Sequence, residues 1–201
     1  MKKLSAISII FALIAIAAVV SARTVTAEIP APPAIGATIA DFTLTDAAGV
    51  AHSLASLEGK NGTVLIFVAT QCPISNAYND RMEKLAQDFK ARGINVVGIN
   101  ANSTESASDI KDHAAKNNLT FTILKDSGNK VADMLGATRT PEAYFLDNSN
   151  KLLYHGRIDN SRDMSAVNSS ELRDALEAAL AGKPIEKSTA NAFGCSIKRA
   201  D

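Results

Sequence analysis

The sequence predicts an α/β fold, a central mixed sheet with helices on both faces. Short, continuous apolar runs rich in β-branched residues, at 63–69 and 94–99, have the pattern of strands buried on both sides. Segments whose apolar residues recur three and four positions apart alternate with them, as helices do. That alternation implies crossovers and parallel strand pairs, while a hairpin near the end adds an antiparallel edge.

The chain opens with Lys2 and Lys3, followed by an almost entirely apolar stretch from Leu4 to Val20. Small-residue sites follow at Val20-Ser21-Ala22 and Val25-Thr26-Ala27, the pattern of a secretory signal peptide cleaved after Ala27 or Ala22. The competing reading is an uncleaved anchor, because the apolar run approaches the roughly 18 to 20 residues that span a bilayer. Either one puts the domain outside the cytoplasm, in a periplasm or an equivalent compartment. Cleavage would leave no stable membrane insertion, since no second apolar stretch could cross.

Residues 28–39 (EIPAPPAIGATI) read as an extended lead-in, and Asp41–Ser53 as an N-terminal hairpin turning at Asp46-Ala47-Ala48-Gly49. Thr63–Ala69 is the first buried strand. From Pro73 a helix is predicted, with Tyr78, Met82, Leu85 and Phe89 on one face and Gly93 as its stop. Ile94–Ile99 is a strand, Glu105–Lys116 an amphipathic helix, Thr120–Leu124 a strand and Lys130–Leu135 a short helix. Glu142–Leu146 and Leu152–His155 pair across a turn at Asp147-Asn148-Ser149-Asn150, and Ser170–Leu180 closes the domain before Gly182 and Pro184. The organisation is thus a signal segment 1–27, a lead-in 28–39, a domain 40–182 and a tail 183–201.

At 201 residues, with 46% apolar and 21% charged, the chain suits one globular domain. Positive and negative side chains balance at 21 each with no basic stripe, so nothing attracts nucleic acid. His52, His113 and His155 are scattered and show no metal-ligand spacing, and neither phosphate loops nor G-x-S-x-G elbows occur. No metal or cofactor is therefore expected. Only two cysteines, Cys72 and Cys195, are present, too few for a stapled scaffold, so each needs its own explanation.

In Ala69-Thr70-Gln71-Cys72-Pro73-Ile74-Ser75 the thiol of Cys72 leaves a buried strand and enters a helix start. Free backbone N–H groups and the helix dipole there favour a thiolate, the nucleophilic form, and Pro73 suits the first helical position because it has no N–H to satisfy. The reading requires the sulfur to be accessible. The alternative is a buried structural cysteine acting as a small hydrophobe.

These residues resemble the thioredoxin-like redoxins, in particular the exported TlpA-type thiol-disulfide oxidoreductases and the peroxiredoxin-like AhpC-TSA branch, over roughly 38–182. The resemblance implies a thioredoxin fold. Of the TlpA-type signature W-A-T-W-C-P-P-C, Ala69, Thr70, Cys72 and Pro73 match, while Val68, Gln71, Ile74 and Ser75 depart. Ser75 stands where the family carries its resolving thiol. Thr140-Pro141-Glu142-Ala143-Tyr144-Phe145-Leu146-Asp147 is similar to the family's cis-proline loop, which implies that Thr140 and Pro141 contact substrate. The peroxiredoxin pattern P-x-x-x-T-x-x-C has Leu65 and Ala69 in its proline and threonine places, and Pro141 occupies the place of its arginine. Arg139 could substitute, and Glu142 could accept a proton near the thiol; otherwise both are surface charges.

Cys195, in Phe193-Gly194-Cys195-Ser196, sits thirteen residues beyond Gly182. An extended tail reaches on the order of 40 Å, more than the roughly 16 Å radius of gyration of such a domain, so it could meet Cys72. Reach does not fix direction, and a free or intermolecular thiol remains the alternative.

The expectation is an exported oxidoreductase in which Cys72 attacks a disulfide or hydroperoxide of a protein or small molecule. Cys195 or an external thiol reductant resolves the intermediate, and Thr70, Pro73, Thr140, Pro141 and Glu142 shape the site. The reading from another class is a non-catalytic binding module, or a copper-handling protein, that kept the fold and lost the dithiol.

Overall fold

The computed structural model describes residues 29–200, so the expected signal segment lies outside the described residues. The sheet is built around β3 (Gly62–Phe67), every residue of which is buried, as its unbroken apolar run requires. It pairs in parallel with β4 (Ile94–Asn100) and antiparallel with β7 (Glu142–Leu146). Outward on one side lie β5 (Ile123–Lys125) and the hairpin of β1 (Thr43–Asp46) and β2 (Ala51–Ser53); on the other lies β8 (Leu152–Gly156). The strand order is β2-β1-β5-β4-β3-β7-β8.

Strand alternation divides the core into two layers. Val64, Ile66 and Val68 meet Met82, Leu85 and Phe89 of α2 (Asn79–Lys90) and Leu172 and Leu176 of α5 (Glu171–Leu180). Leu65, Phe67, Val97 and Tyr144 face the other way, onto Leu44 and Leu54 of the hairpin region and onto Val131 and Leu135 of α4 (Lys130–Leu135). Each fully buried side chain of this size contributes roughly 1.5–3 kcal/mol, which is why β3 and β7 fix the frame that presents the site. The remaining helices are α1 (Pro73–Asn76) and α3 (Ala107–Lys116), the latter started by a reciprocal Ser106–Asp109 capping box.

Several expectations are corrected. The single helix from Pro73 is two, because the Tyr78 N–H bonds to Ser75 three residues back and tightens the turn between α1 and α2. The strand expected at Thr120 begins at Ile123, since the Thr120 N–H and hydroxyl bond Glu83. Past β8, Asp159 is buried against Arg81 at 2.7 Å, and Arg157 binds the buried Glu171.

The lead-in and tail are both docked on the sheet. Thr38 bridges Lys151, and His155 bridges Thr189, so the two segments share the β8 edge. Farther along, the tail forms β9 (Cys195–Ser196), antiparallel to β6 (Arg139–Thr140), with Thr140 opposite Cys195. Ile197 is buried in the second core layer.

Candidate redox site

Cys72 is the N-cap of α1, and its Sγ accepts the Ser75 N–H at 3.2 Å. That donor stabilises negative charge on the sulfur directly. Pro73 occupies the first helical position and is exposed. Across from the sulfur, the Thr140 carbonyl oxygen lies 3.5 Å away, and the Thr140–Pro141 peptide is cis. Cys72 is joined to Cys195 by a disulfide across 123 residues, with the two Cα atoms 6.0 Å apart.

The tail reaches this position because β9 pairs with the residue before the cis-proline. Gly194, at φ +151°, makes the approach possible: a Cβ there would collide with the Thr140 carbonyl oxygen. In this oxidised state the expected accessibility of the Cys72 sulfur is not met, since Cys72 is 4% exposed under the tail. Cys195 is half-buried and is the more solvent-facing residue of the pair.

Sequence reasoning missed the residues that hold this geometry. Glu105, 2% exposed, accepts the backbone N–H groups of Thr70 and Gln71 and the side-chain amides of Asn100 and Asn102. Burial pushes its carboxyl up, but these hydrogen bonds, led by Thr70, outweigh burial and hold it below the ordinary value. The loop ahead of Cys72 is thereby fixed, and the Asn76 amide also binds the Thr70 carbonyl. Ser75 is fully buried, and its hydroxyl accepts the Ala69 N–H. It replaces the family's second thiol with a structural hydrogen bond. Nothing in the local pattern of Asn100, Asn102 and Glu105 distinguishes that trio from ordinary loop residues.

Glu142 is no surface charge. It is 3% exposed, and one oxygen accepts the Thr138 and Arg139 N–H groups while the other accepts Tyr144 Oη and His155 Nε2, the last at 2.7 Å. Burial raises its carboxyl, and the His155 and backbone hydrogen bonds more than offset this, leaving it below the ordinary value. Its lone pairs are taken, and what it does here is brace the cis-proline loop. Arg139 is exposed and bonds Ser196 Oγ at 3.1 Å.

Beyond Cys195 the tail is clamped. Asn102 Oδ1 accepts the Lys198 N–H, Asn129 Oδ1 accepts the Ala200 N–H, and Arg199 pairs with Asp133 at 2.9 Å. Phe193 packs edge-on against Tyr78. Among the described residues no group of three or more His, Cys, Asp or Glu side chains is placed to hold a metal, and no helix is long and apolar enough to cross a membrane.

A thioredoxin fold that brings a helix-capping cysteine, a cis-proline loop and a second cysteine together in a disulfide defines a redoxin-type thiol oxidoreductase. Residues 35–155 match the AhpC/TSA family, and the chain belongs to it. The chain is 36% identical to peroxiredoxin Q, chloroplastic, of Sedum lineare, over 61% of this chain and 69% of that one. It is 31% identical to the thiol-disulfide oxidoreductase ResA of Halalkalibacterium halodurans, over 59% of this chain and 62% of that one. A crystal structure of a hypothetical protein from Sinorhizobium meliloti 1021 superposes with a TM-score of 0.78 at 29% identity, covering 85% of this chain and 97% of that one.

Proposed function

We propose that this protein is an exported two-cysteine redoxin that exchanges disulfides, with Cys72 as the attacking thiolate and Cys195 as the resolving thiol. The observation that carries this reading is the Cys72–Cys195 bond beside the cis-proline loop, with the Ser75 N–H on the Cys72 sulfur. In the reduced protein the Cys72 thiolate attacks one sulfur of a substrate disulfide, and the other sulfur leaves as a thiolate. Cys195, held opposite Thr140, then attacks the mixed disulfide, frees the product thiol and leaves the internal disulfide. Thr140 and Pro141 form the wall facing the sulfur, Thr70 and Pro73 flank it, and Glu142 braces the loop behind it. Export follows from the leader pattern at 1–27.

Hydroperoxide reduction is the second reading, in which Cys72 becomes a sulfenic acid and condenses with Cys195, releasing water. Exchange is preferred because Arg139, the arginine two residues before the cis-proline, bonds Ser196 and not the Cys72 sulfur. The test follows the reduced mature protein by stopped flow against a model disulfide and against hydrogen peroxide, with Cys72→Ser and Cys195→Ser alongside. Exchange predicts faster oxidation by the disulfide, no reaction in Cys72→Ser and an accumulating mixed disulfide in Cys195→Ser. Faster oxidation by peroxide overturns it in favour of the second reading, and activity surviving in Cys72→Ser overturns both.

A further inference from the structure

Beside the cis-proline loop, between the lead-in and the tail, lies a cavity of about 450 Å³. Its walls include Pro30, Pro32, Arg139, His155, Thr189 and Asn191. None of the site chemistry described above uses it. Its volume falls in the range of small-molecule sites, and its polar groups are unevenly committed. Glu142 reaches the wall with both oxygens occupied by four donors, and His155 Nε2 is one of them. The groups with hydrogen-bonding capacity to spare are the Arg139 guanidinium, of which one nitrogen bonds Ser196, the His155 Nδ1, and the Thr189 and Asn191 side chains. With the Glu142 carboxylate already engaged by its four donors, the spare donors of Arg139 beside the Thr189 and Asn191 side chains suit a carboxylate on a peptide-sized molecule.

Arg139 ties the cavity to the disulfide, because the same guanidinium that lines it bonds the residue after Cys195. Of the two bonded cysteines, Cys72 is 4% exposed and Cys195 is half-buried. Neither cysteine lines the cavity, but through the Arg139–Ser196 bond it adjoins the tail at Cys195, the more exposed of the two.

We propose that the cavity binds a small anionic thiol, held by its carboxylate on Arg139, and that this thiol reduces the protein by attacking Cys195. The inference rests on the redox reading and names the electron donor's class and entry point. The donor thiolate attacks Cys195 Sγ, the Cys72–Cys195 bond breaks, and Cys72 leaves as a thiolate accepting the Ser75 N–H. A second molecule of the thiol attacks the donor sulfur of the mixed disulfide, releasing Cys195 and a symmetrical disulfide. Two donor thiols are oxidised and two protein thiols formed, so electrons and protons balance.

The test compares glutathione with glutathione dimethyl ester as reductants of the oxidised full chain. Each rate is divided by that probe's rate on a small linear disulfide, which removes differences in intrinsic thiol reactivity. Without residues 1–27 and their three basic side chains, 18 basic residues face 21 acidic ones, so general attraction works against the anionic probe and cannot mimic its advantage. One partly exposed ion pair predicts an advantage of about fivefold for glutathione, falling to about one in Arg139→Gln. Alkylation and peptide mapping of the quenched reaction should find glutathione on Cys195 and the alkyl group on Cys72. A wild-type ratio near one, a ratio unchanged in Arg139→Gln, or glutathione on Cys72 overturns the inference. If dithiothreitol still opens the disulfide in that case, the redox reading stands without it; a disulfide that no thiol opens overturns both.

Discussion

Reducing the Cys72–Cys195 bond should cost a large fraction of the domain's stability, and the chain separation sets the amount. The bond links residues 123 apart. Closing a loop of that length removes about 16 cal/mol/K of chain entropy from the unfolded state, or about 5 kcal/mol at 25 °C. A domain of this size shifts its melting temperature by about 2 to 4 °C per kcal/mol, which predicts a fall of about 10 to 20 °C on reduction. The folded side should change little, because the tail keeps its anchors at Asn102, Asn129 and Asp133 and the burial of Ile197. Calorimetry of the oxidised protein, the reduced protein and Cys195→Ser measures this directly, with both dithiol and serine forms expected to melt in one transition at similar temperatures. A fall of less than about 3 °C would refute the reasoning, since it would mean that the unfolded chain gains almost none of the freedom that loop closure removes.

Gly194→Ala should strain the oxidised form, because the added Cβ meets the Thr140 carbonyl at φ +151°; a cost of about 1.4 to 3 kcal/mol corresponds to a reduction potential higher by about 30 to 60 mV. Equilibration in a glutathione redox buffer reads it, and an unchanged potential would show that β9 does not press on the loop. Glu105→Gln should lower stability by about 2 to 4 kcal/mol in urea unfolding, because an amide cannot accept four donors. The same variant should slow alkylation of reduced Cys72, and wild-type values in both assays would dismiss the positioning role. Glu171 supplies a pH dependence: burial raises its carboxyl, but the Arg157 hydrogen bond, with help from Ser169, carries it down from 4.5 to about 2. The unfolded chain then binds more protons between those values, so this contribution is complete above about pH 4.5 and is lost as pH falls towards 2. Glu171→Gln should flatten that acid slope in pH-dependent unfolding, and an unaltered slope would contradict the assignment.

Much of the fold was legible because burial leaves a local record. The apolar run at 63–69 has the pattern of a strand covered on both faces, found at Gly62–Phe67, and the periodicities at Lys130–Leu135 and Ser170–Leu180 marked helices that the structure places at Lys130–Leu135 and Glu171–Leu180. The strand-Cys-Pro-helix order likewise announced where the sulfur of Cys72 would sit. Breaks caused by distant partners left no such record. The strand before Leu124 is shortened by Glu83, because a hydrogen bond across the molecule competes with local periodicity.

The sequence by itself determined the class of fold, the place of Cys72 at a helix start and the presence of a second cysteine within reach. Only the tertiary structure decided that this thiol is joined to Cys72, that the tail is a paired strand covering it, and that Glu142 is buried under a histidine. The reason is that periodicity and capping depend on neighbours a few residues apart, whereas pairing across 123 residues depends on which backbone edges and buried charges the finished core leaves to be satisfied.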